Sequence, residues 1–462
     1  MTDVRALSLW WDQVAHDDPA VLAPHPARTP PDGDTEADVA IVGGGLTGLW
    51  AAYYLLEADP GLRVVVVEQE VVGFGASGRN GGWCSALFPV TGAALARRHG
   101  TGAALAMRAA MRDTVVEVGA VAAVEEIACG FAYGGTVTLA RNPAQLERLT
   151  AEAAADAVWG DETYLLDARG TSEHVRAAGV LGGAWTPDCA RVQPARLVRG
   201  LATVVEARGA RIHEGTRALR VSPRAVVTDH GTVRARWVLR ATEAWTPQLP
   251  GSRRDVAPVY SLMVATEPLP AEVWDRIGLA AGQTFTDARH LIVYGQRTTD
   301  GRLAFGGRGA PYHLGSAVRP ELDRSPAVTA HLQRALLALF PALDGTRFTH
   351  AWGGPLAVPR DWHPSVGLDP RTGVGWAGGY VGDGVATTNL AGRTLADLVT
   401  GTDSPLVHLP WVGHRSPAWE PEPLRWAGIT AGRRIASFAD RTEQRTGRPS
   451  RTAEVLGRFL GH

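Results

Sequence analysis

The stretch DVAIVGGGLTGLWAAYYLLEADPGLRVVVVE, residues 38–68, decides the fold. Five residues of the type found in buried strands (38–42) lead into a glycine turn, and apolar side chains then recur at helical spacing. The sequence DPG (59–61) ends this predicted helix, and the run RVVVV (63–67) predicts a second buried strand. A strand, a helix and a parallel strand therefore follow one another, which is typical of an α/β protein that binds a nucleotide.

The glycine turn has the spacing GxGxxG. Gly43 permits the tight turn, Gly45 lets the backbone approach a pyrophosphate, and Gly48 lets the helix pack closely on the strand. The helix then presents free N–H groups and the positive end of its dipole to the phosphates. Glu68 ends the second strand, where a carboxylate can bind the ribose hydroxyls of adenosine. The predicted cofactor contacts of this unit are Gly43, Gly45, Leu46, Thr47, Gly48 and Glu68.

An acidic residue at position 68 favours an unphosphorylated ribose, and therefore FAD or NAD rather than NADP.

The composition of the 462 residues, with 45% apolar and 20% charged residues, is ordinary for a globular protein with room for two domains. A net charge of −1 gives no indication of a nucleic-acid or membrane partner. No apolar run is long enough to suggest a membrane span, and no basic-then-apolar signal pattern begins the chain.

Three cysteines, Cys84, Cys129 and Cys189, are an odd number without metal-binding spacing, which predicts a reduced cytoplasmic location and no metal site. The sequence contains no lysine, so all 46 basic residues are arginine. This excludes a Schiff base between the protein and pyridoxal phosphate.

A second glycine-rich loop, VVGFGASGRNGGWCSALFP (71–89), follows closely behind the acidic strand end. Its glycines allow the backbone to pass near a flat ligand, and its polar side chains can contact that ligand. A surface loop without a ligand is the alternative interpretation. The predicted cofactor contacts here are Gly75, Ala76, Ser77, Arg79, Asn80, Gly81, Gly82 and Trp83.

With both motifs in view, GGGLTGLWAAYYL and VVVVEQEVVGFGASGRNGG resemble the N-terminal signature of FAD-dependent oxidoreductases of the D-amino-acid oxidase superfamily. The GFGASGRNGG loop is most similar to the gamma-glutamylputrescine oxidase-like branch. The resemblance implies a Rossmann-like FAD-binding domain built from three segments, and an α+β substrate domain with a mainly antiparallel sheet. It also implies oxidation of a C–N bond, in which the flavin takes hydride from the carbon beside an amine at N5 and water hydrolyses the imine.

The resemblance divides the chain into a nucleotide domain and a substrate domain, with an arm before them and a helical tail after them. The expected boundaries are an arm at 1–37, an FAD-binding domain at 38–92, 190–255 and 351–405, a substrate domain at 93–189 and 256–350, and a tail at 406–462.

Two strands at 217–228 and 232–241, joined by DHG (229–231), are expected to return the chain to the FAD domain. They lead into ATEAWT, where the family has an ATNAWT-like run, so Glu243 stands in place of an amide.

A further strand, glycine loop and helix occupy 373–401, GVGWAGGYVGDGVATTNLAGRTLADLVTG. The N-terminus of this helix is expected to face the O2 and N1 edge of the flavin, where negative charge gathers on reduction. A helix that only packs on the sheet is the alternative. The predicted contacts are Gly379, Tyr380, Gly382, Gly384 and Val385.

The expected substrates are a small amine or amino acid and O₂ or another electron acceptor. Amine oxidation requires a neutral amine in a partly apolar pocket, with its α-carbon over the flavin. Arg308 could bind a substrate carboxylate, His363 could relay a proton, and Tyr260 and Trp352 could line the amine pocket. Each could equally have a structural role.

Sarcosine-type members of the superfamily hold FAD covalently and use a lysine near the flavin for oxygen activation. No histidine occurs in the GASGRNGG loop and no cysteine follows Cys189, which predicts non-covalent FAD. The absence of lysine leaves oxidase and dehydrogenase activity both open. An NAD-dependent dehydrogenase and a flavin-binding protein without turnover are the alternative functions, although NAD requires neither of the two later glycine loops.

Overall fold

The computed structural model describes residues 3–452, so the last ten residues of the expected tail, 453–462, lie outside the described part. The helices are α1 Leu9–Asp17, α2 Leu46–Ala58, α3 Gly92–His99, α4 Thr101–Val124, α5 Pro143–Val158, α6 Ala168–His174, α7 Pro194–Ala207, α8 Ala271–Ile277, α9 Pro326–Leu339, α10 Gly384–Thr400 and α11 Leu424–Thr446. The strands are β1 Thr35–Val42, β2 Val64–Val67, β3 Trp83–Ser85, β4 Ala132–Tyr133, β5 Thr136–Ala140, β6 Tyr164–Asp167, β7 Gly182–Thr186, β8 Cys189–Arg191, β9 Arg211–His213, β10 Ala218–Ser222, β11 Ala225–Thr228, β12 Gly231–Arg240, β13 Ala257–Thr266, β14 Thr284–Asp287, β15 Val293–Arg297, β16 Leu303–Gly307, β17 Phe348–Val358, β18 Ser365–Asp369 and β19 Val374–Gly378.

The first sheet contains a parallel core in the order β19-β12-β1-β2-β9, with β18 antiparallel to β19 at one edge. All four valines of β2 are buried, as expected for a parallel strand covered on both faces. Helix α2 packs on β1 and β2 and against helix α10, which also contacts β18 and β19. The predicted strand, helix and parallel strand at residues 38–68 are confirmed.

The predicted strand at 217–228 is wrong, because it is a hairpin of two strands, β10 and β11. Pro223 has no N–H for a strand ladder and fixes its own φ, and Arg224 has a left-handed φ of 57°. The chain therefore turns between β10 and β11, and β11 then pairs with β12.

The second sheet has the order β17-β13-β16-β15-β14-β5-β7-β6 and is antiparallel except for the pair β14 and β5. The predicted hairpin around residues 299–301 is confirmed, because β15 and β16 pair with Arg297 opposite Leu303. Strand β17 pairs with β13 in this sheet, so residues 351–358 lie in the second sheet although the sequence assigned them to the nucleotide domain. A small third sheet, β3-β8-β4, extends from the second glycine loop.

Alternation along β13 separates the two faces of the second sheet. Tyr260 and Leu262 point into a core formed with helix α9, whereas Met263 packs with the N-terminal arm on the opposite face. Ser261, on the same face as Met263, contacts the hydroxyl of Tyr294. This second face therefore points toward the glycine loops.

The N-terminal arm packs against the second glycine loop and holds it by hydrogen bonds. Ser8 Oγ donates to the carbonyl of Gly78 at 2.9 Å, and Trp10 Nε1 donates to the carbonyl of Asn80 at 2.8 Å. Trp10 and Trp11 are almost fully buried in the cluster that joins the arm to the second sheet. The arm is thus part of the structure that holds the loop in position.

The tail helix α11 is attached to α5 and to the segment between β14 and β15 by two carboxylates, of which Glu443 is buried and Asp440 is half-buried. Glu443 accepts from Arg148 Nη2 at 2.7 Å and contacts His290 Nε2 at 2.9 Å. The two oxygens of Asp440 accept from the backbone N–H groups of His290 and Leu291. These acidic side chains are therefore used in docking the helix.

We expect Trp10→Ala to lower the free energy of unfolding by about 3–5 kcal/mol, because it leaves a large cavity and removes the hydrogen bond to the second glycine loop. Urea unfolding followed by fluorescence measures the change. Trp426→Ala is the matched control, because Trp426 is 41% exposed on α11; a change within about 0.5 kcal/mol is expected there. Equal losses in both variants would contradict a supporting role for the arm.

Candidate cofactor and active site

The glycine turn after β1 has no room for side chains. A Cβ on Gly43, which has a φ of 111°, would lie 2.5 Å from the carbonyl oxygen of Ala241. A Cβ on Gly48 would lie 2.1 Å from the carbonyl oxygen of Gly43, and one on Gly45 would lie 2.9 Å from Ser77 Oγ. The backbone therefore approaches its neighbours closely at each of the three positions, as the motif requires.

Glu68 is held against this turn. Its Oε2 accepts from the backbone N–H of Gly44 at 2.8 Å, and its Oε1 accepts from the N–H of Glu70 at 2.9 Å. Burial raises the pKa of the Glu68 carboxyl to about 7, although both N–H groups lower it. Ser77 Oγ accepts from the N–H of Leu46 at 2.9 Å, so the second glycine loop touches the N-terminus of α2.

A single cleft runs from Glu68 to the N-terminus of α10, with a volume of about 1360 Å³ including its solvent-open part. It brings together predicted contacts from all three glycine segments. Those that line it are Gly43, Gly45, Leu46, Thr47, Glu68, Gly75, Ala76, Ser77, Asn80, Tyr380, Gly382, Gly384 and Val385. Lining residues that the sequence did not indicate include Thr216, Ala218, Leu219, Thr242, Glu243, Trp245 and Leu356.

The other predicted contacts lie outside the cleft lining. A Cβ on Gly82 would lie 2.1 Å from Gln296 Nε2, and one on Gly81 would lie 2.7 Å from the ring of Tyr294, so both glycines permit close packing of the loop on β15. Gly48 has the helix-packing role already described, and the N–H of Gly379 is bound by Glu243 at 3.1 Å.

Arg79 and Trp83 also lie outside this lining. Arg79 forms a buried ion pair with Asp323 at 2.5 Å, and its guanidinium lies 4.8 Å from the ring centre of Phe74. This contact ties the loop to the segment before α9. The ring of Trp83 lies 5.9 Å from that of Tyr294, and its buried Nε1 has no hydrogen-bond partner among the described residues.

Glu243 links three elements at the cleft. Its Oε1 accepts from the N–H groups of Gly379 and Tyr380, both at 3.1 Å, and its Oε2 accepts from the N–H of Ala357 at 2.9 Å. Its φ is 40°, a strained conformation for a residue other than glycine. Burial raises the pKa of its carboxyl to about 7, against the opposing effect of the three N–H groups. The change from the family's ATNAWT-like run was the available sequence signal for this residue.

Two of the proposed aromatic pocket residues lie elsewhere. Tyr260 points into the core beneath α9, where its ring lies 5.3 Å from His313 and its hydroxyl accepts from the N–H of Arg319 at 3.3 Å. Trp352 is buried against Trp10, and its Nε1 donates to the carbonyl of Arg79 at 2.9 Å. Both side chains occupy packing positions, so the expectation that they line an amine pocket is not met.

His363 is brought to a different cavity. It is fully buried, stacks on His414 with ring centres 3.9 Å apart, and does not line the cleft. The imidazole of His363 therefore lies outside the cleft, although His363 and Gly379 both line this second cavity.

Arg308 lies at the end of the cleft, behind Gly382 and Leu356. Its Nη2 is 3.4 Å from the carbonyl of Val381 and 3.8 Å from Asp383 Oδ2. Asp383 immediately precedes α10, yet its side chain caps none of the helix N–H groups. Burial raises the pKa of Asp383 to about 6, and the Arg308 guanidinium opposes this shift.

Tyr294 forms a group with Arg308 and Asp383, and the sequence analysis did not predict it. Its hydroxyl lies 2.9 Å from Ser261 Oγ, and burial raises the pKa of the phenol while the charge of Arg308 lowers it. The alternation of side chains along β15 does not show by itself which face points toward the loops. The pairing of β13 with β16 and of β16 with β15 decides this, and these partners lie apart in the sequence.

Comparisons with known proteins agree with this geometry. The family described as FAD dependent oxidoreductase matches residues 38–398. The chain belongs to this family and is an FAD-dependent oxidoreductase.

Two curated relatives are similar over most of the chain. A probable oxidoreductase OrdL from Rhizobium meliloti (strain 1021) is 30% identical over 81% of this chain and 85% of its own. A gamma-glutamylputrescine oxidoreductase from Escherichia coli (strain K12) is 29% identical over 82% of this chain and 88% of its own.

Among solved structures, a glycine oxidase from Bacillus cereus ATCC 14579 aligns with a TM-score of 0.67 and 21% identity, over 82% of this chain and 99% of that chain. This likeness establishes the fold.

The residues present fit FAD. The side-chain-free turn at Gly43 and Gly45 and the open N-terminus of α2 suit a pyrophosphate, and Glu68 stands where ribose hydroxyls bind. The cleft continues to a second helix N-terminus at Gly384, which suits the far end of the cofactor. Within residues 3–452, no helix combines the length and the apolar content that a membrane span requires.

The raised pKa of the Glu243 carboxyl predicts a pH-dependent stability of the FAD-free protein. Its pKa is raised from an ordinary value of 4.5 to about 7, so the folded state holds this proton more tightly than the unfolded state. The free energy of unfolding therefore falls as the pH rises through this window. We expect Glu243→Gln to reduce this fall without removing it, because the pKa of Glu68 is also raised to about 7.

Urea unfolding of the FAD-free protein at pH 5, 6, 7 and 8 (about one-unit steps across the window) measures this dependence. Glu36→Gln, at an exposed position, serves as control and should follow the unaltered protein. A Glu243→Gln profile as steep as that of the control would contradict the assignment.

Proposed function

We propose that this chain oxidises the C–N bond of a small amine or amino acid. The observation that carries the proposal is the group formed by Arg308, Asp383 and Tyr294 at the end of the cleft, beyond Gly382. A carboxyl whose pKa is shifted by burial and that lies beside a charged partner at a cleft is typical of a functional site, and Asp383 beside Arg308 has this arrangement. The names of the relatives, a gamma-glutamylputrescine oxidoreductase and a glycine oxidase, support the same class of reaction.

FAD, when bound, supplies the hydride acceptor at N5, water hydrolyses the resulting imine, and O₂ (yielding H₂O₂) or another acceptor takes the electrons. The protein's task is to orient the amine and to hold it in its neutral form. Asp383 is suited to accept the proton from the substrate ammonium, because burial raises its pKa to about 6, which is close to neutral pH.

Arg308 is suited to bind a substrate carboxylate. Among residues 3–452 its guanidinium has one long hydrogen bond, to Val381, and a loose contact with Asp383, which leaves N–H groups available for a planar anion. Tyr294 and Ser261 provide hydroxyl groups on the facing sheet that can fix the substrate's orientation. The site thus offers one cationic and one anionic side chain, which suits an amino acid or an amine with an acidic group.

An anaerobic screen of amines and amino acids tests the proposed reaction. We expect the visible absorption band of the bound flavin to bleach with at least one member of the screen. Admitting air and measuring peroxide then distinguishes reoxidation by O₂ from dependence on another acceptor. Purified protein that holds FAD but is bleached by no amine or amino acid would contradict the proposal.

Arg308→Ala should raise KM by about 10- to 100-fold for substrates that carry a carboxylate, since a hydrogen bond to a charged group contributes about 1.5–3 kcal/mol. An amine without a carboxylate should be much less affected. Arg371→Ala is the control, because the side chain of Arg371 is 90% exposed. Equal effects of Arg308→Ala on both substrate types would show that Arg308 does not bind the carboxylate.

A further inference from the structure

Helix α11 presents a cationic face to solvent. Its sequence contains five arginines and two acidic residues, Asp440 and Glu443. Both acidic side chains are used on the docked side of the helix, where Asp440 accepts from backbone N–H groups and Glu443 accepts from Arg148. The exposed side of this fully described helix therefore has no carboxylate of its own.

Three of the five arginines, Arg434, Arg441 and Arg445, are exposed. Their guanidinium groups form no hydrogen bond, ion pair or ring contact with any residue in the range 3–452. The other two, Arg425 and Arg433, do contact the protein. Three cationic groups are thus available to an anionic partner outside the chain.

Two aromatic side chains lie on the same face of α11. Trp426 is 41% exposed and Phe438 is 54% exposed. Successive residues of an α-helix are rotated by about 100°, so the two rings and the three free arginines fall within about 120° of the helix circumference. We call this set the basic-aromatic face: Trp426, Arg434, Phe438, Arg441 and Arg445.

The end of this face at Trp426 carries further exposed apolar side chains. Leu424 is 63% exposed and Leu314 is 58% exposed. The backbone N–H of Gly315 donates to Glu422 Oε1 at 3.2 Å, which places the loop of Leu314 beside the start of α11. Apolar surface is therefore available at the same end as the indole ring.

The dimensions of the face suit a broad anionic surface. At a rise of about 1.5 Å per residue, the face extends for about 29 Å, and its two aromatic rings lie about 18 Å apart along the axis. Rings at this separation do not form the contiguous apolar centre of a stable protein interface. They can insert singly at the headgroup level of a membrane, where aromatic residues are enriched, while arginines bind lipid phosphates.

We propose that the basic-aromatic face of α11 binds the surface of an anionic phospholipid membrane. The three free arginines bind lipid phosphate groups, and Trp426 and Phe438 insert among the headgroups. The net charge of −1 averages over the whole chain. Salt screens charges beyond about 8–10 Å, so the local charge of α11 decides the attraction.

Co-sedimentation of the FAD-loaded enzyme with phosphatidylglycerol vesicles at low ionic strength tests this surface. We expect saturable binding that phosphatidylcholine vesicles do not reproduce. Binding should be lost at about 1 M salt, where the Debye length is about 3 Å. Absence of binding to phosphatidylglycerol vesicles, or equal binding to both lipids, would overturn the proposal.

Two combined variants separate the face from the net charge of the protein. The first changes the three free arginines of α11: Arg434→Gln, Arg441→Gln and Arg445→Gln. The matched control changes three exposed arginines on other elements: Arg169→Gln, Arg347→Gln and Arg371→Gln. The first should bind vesicles at least about 20-fold more weakly, because each basic group near an anionic leaflet adds about fivefold. The control should change binding by less than about threefold; equal losses would overturn the proposal.

Trp426→Ala tests the aromatic contribution. Because this substitution is expected to leave the stability of the protein unchanged, a loss of at least about fivefold in vesicle binding reports insertion of the indole ring. An unchanged affinity would contradict insertion.

Polyglutamate distinguishes an acidic protein partner from a membrane. Polyglutamate binding that depends on Arg434, Arg441 and Arg445, together with no binding to phosphatidylglycerol vesicles, would show that the face docks an acidic protein and that the membrane proposal is wrong.

Discussion

Helix α2 lies so close to strand β1 that no side chain fits between them, and the rest of the site depends on this contact. A Cβ on Gly48 would lie 2.1 Å from the carbonyl of Gly43, and a Cβ on Gly43 would lie 2.5 Å from the carbonyl of Ala241. Together these two glycines bring the N-terminus of α2 and the end of β12 to the same edge of the sheet. A larger residue at either position would move the floor of the cleft.

Glu243 connects the end of β12 to the elements on the other side of the cleft. One carboxylate accepts from three backbone N–H groups, two in the loop between β19 and α10 and one in strand β17, and so joins the two sheets at the cleft. A half-buried carboxyl in a strained backbone conformation is costly, and it persists only where surrounding hydrogen bonds determine it. The same residue lines both the FAD cleft and a second cavity at the carboxyl ends of β12 and β19.

The local units could be predicted because each depends on short-range rules. Strand, glycine turn, helix and acidic residue all lie within 38–68, and the α10 loop repeats the pattern at 373–401. Strand boundaries and side-chain orientations between these units were predicted less well. The turn at Pro223 divided an expected strand, and Tyr260 proved to face α9 while Tyr294 faced the loops. Adjacent residues of a strand point to opposite faces, so a pocket assignment requires the register, which pairing partners distant in the sequence set.

By itself, the sequence determined the adenosine end of this protein, from Gly43 to Glu68, because glycine spacing, strand type and the acidic residue lie within one local unit. It also indicated that three separated glycine segments share a cofactor. Only the tertiary structure decided which charged residues meet at the far end, namely Arg308 and Asp383, and which buried histidine lies apart from them, His363. These contacts join residues far apart in the chain, because Arg308 follows strand β16 of the second sheet and Asp383 precedes helix α10 beside the first sheet.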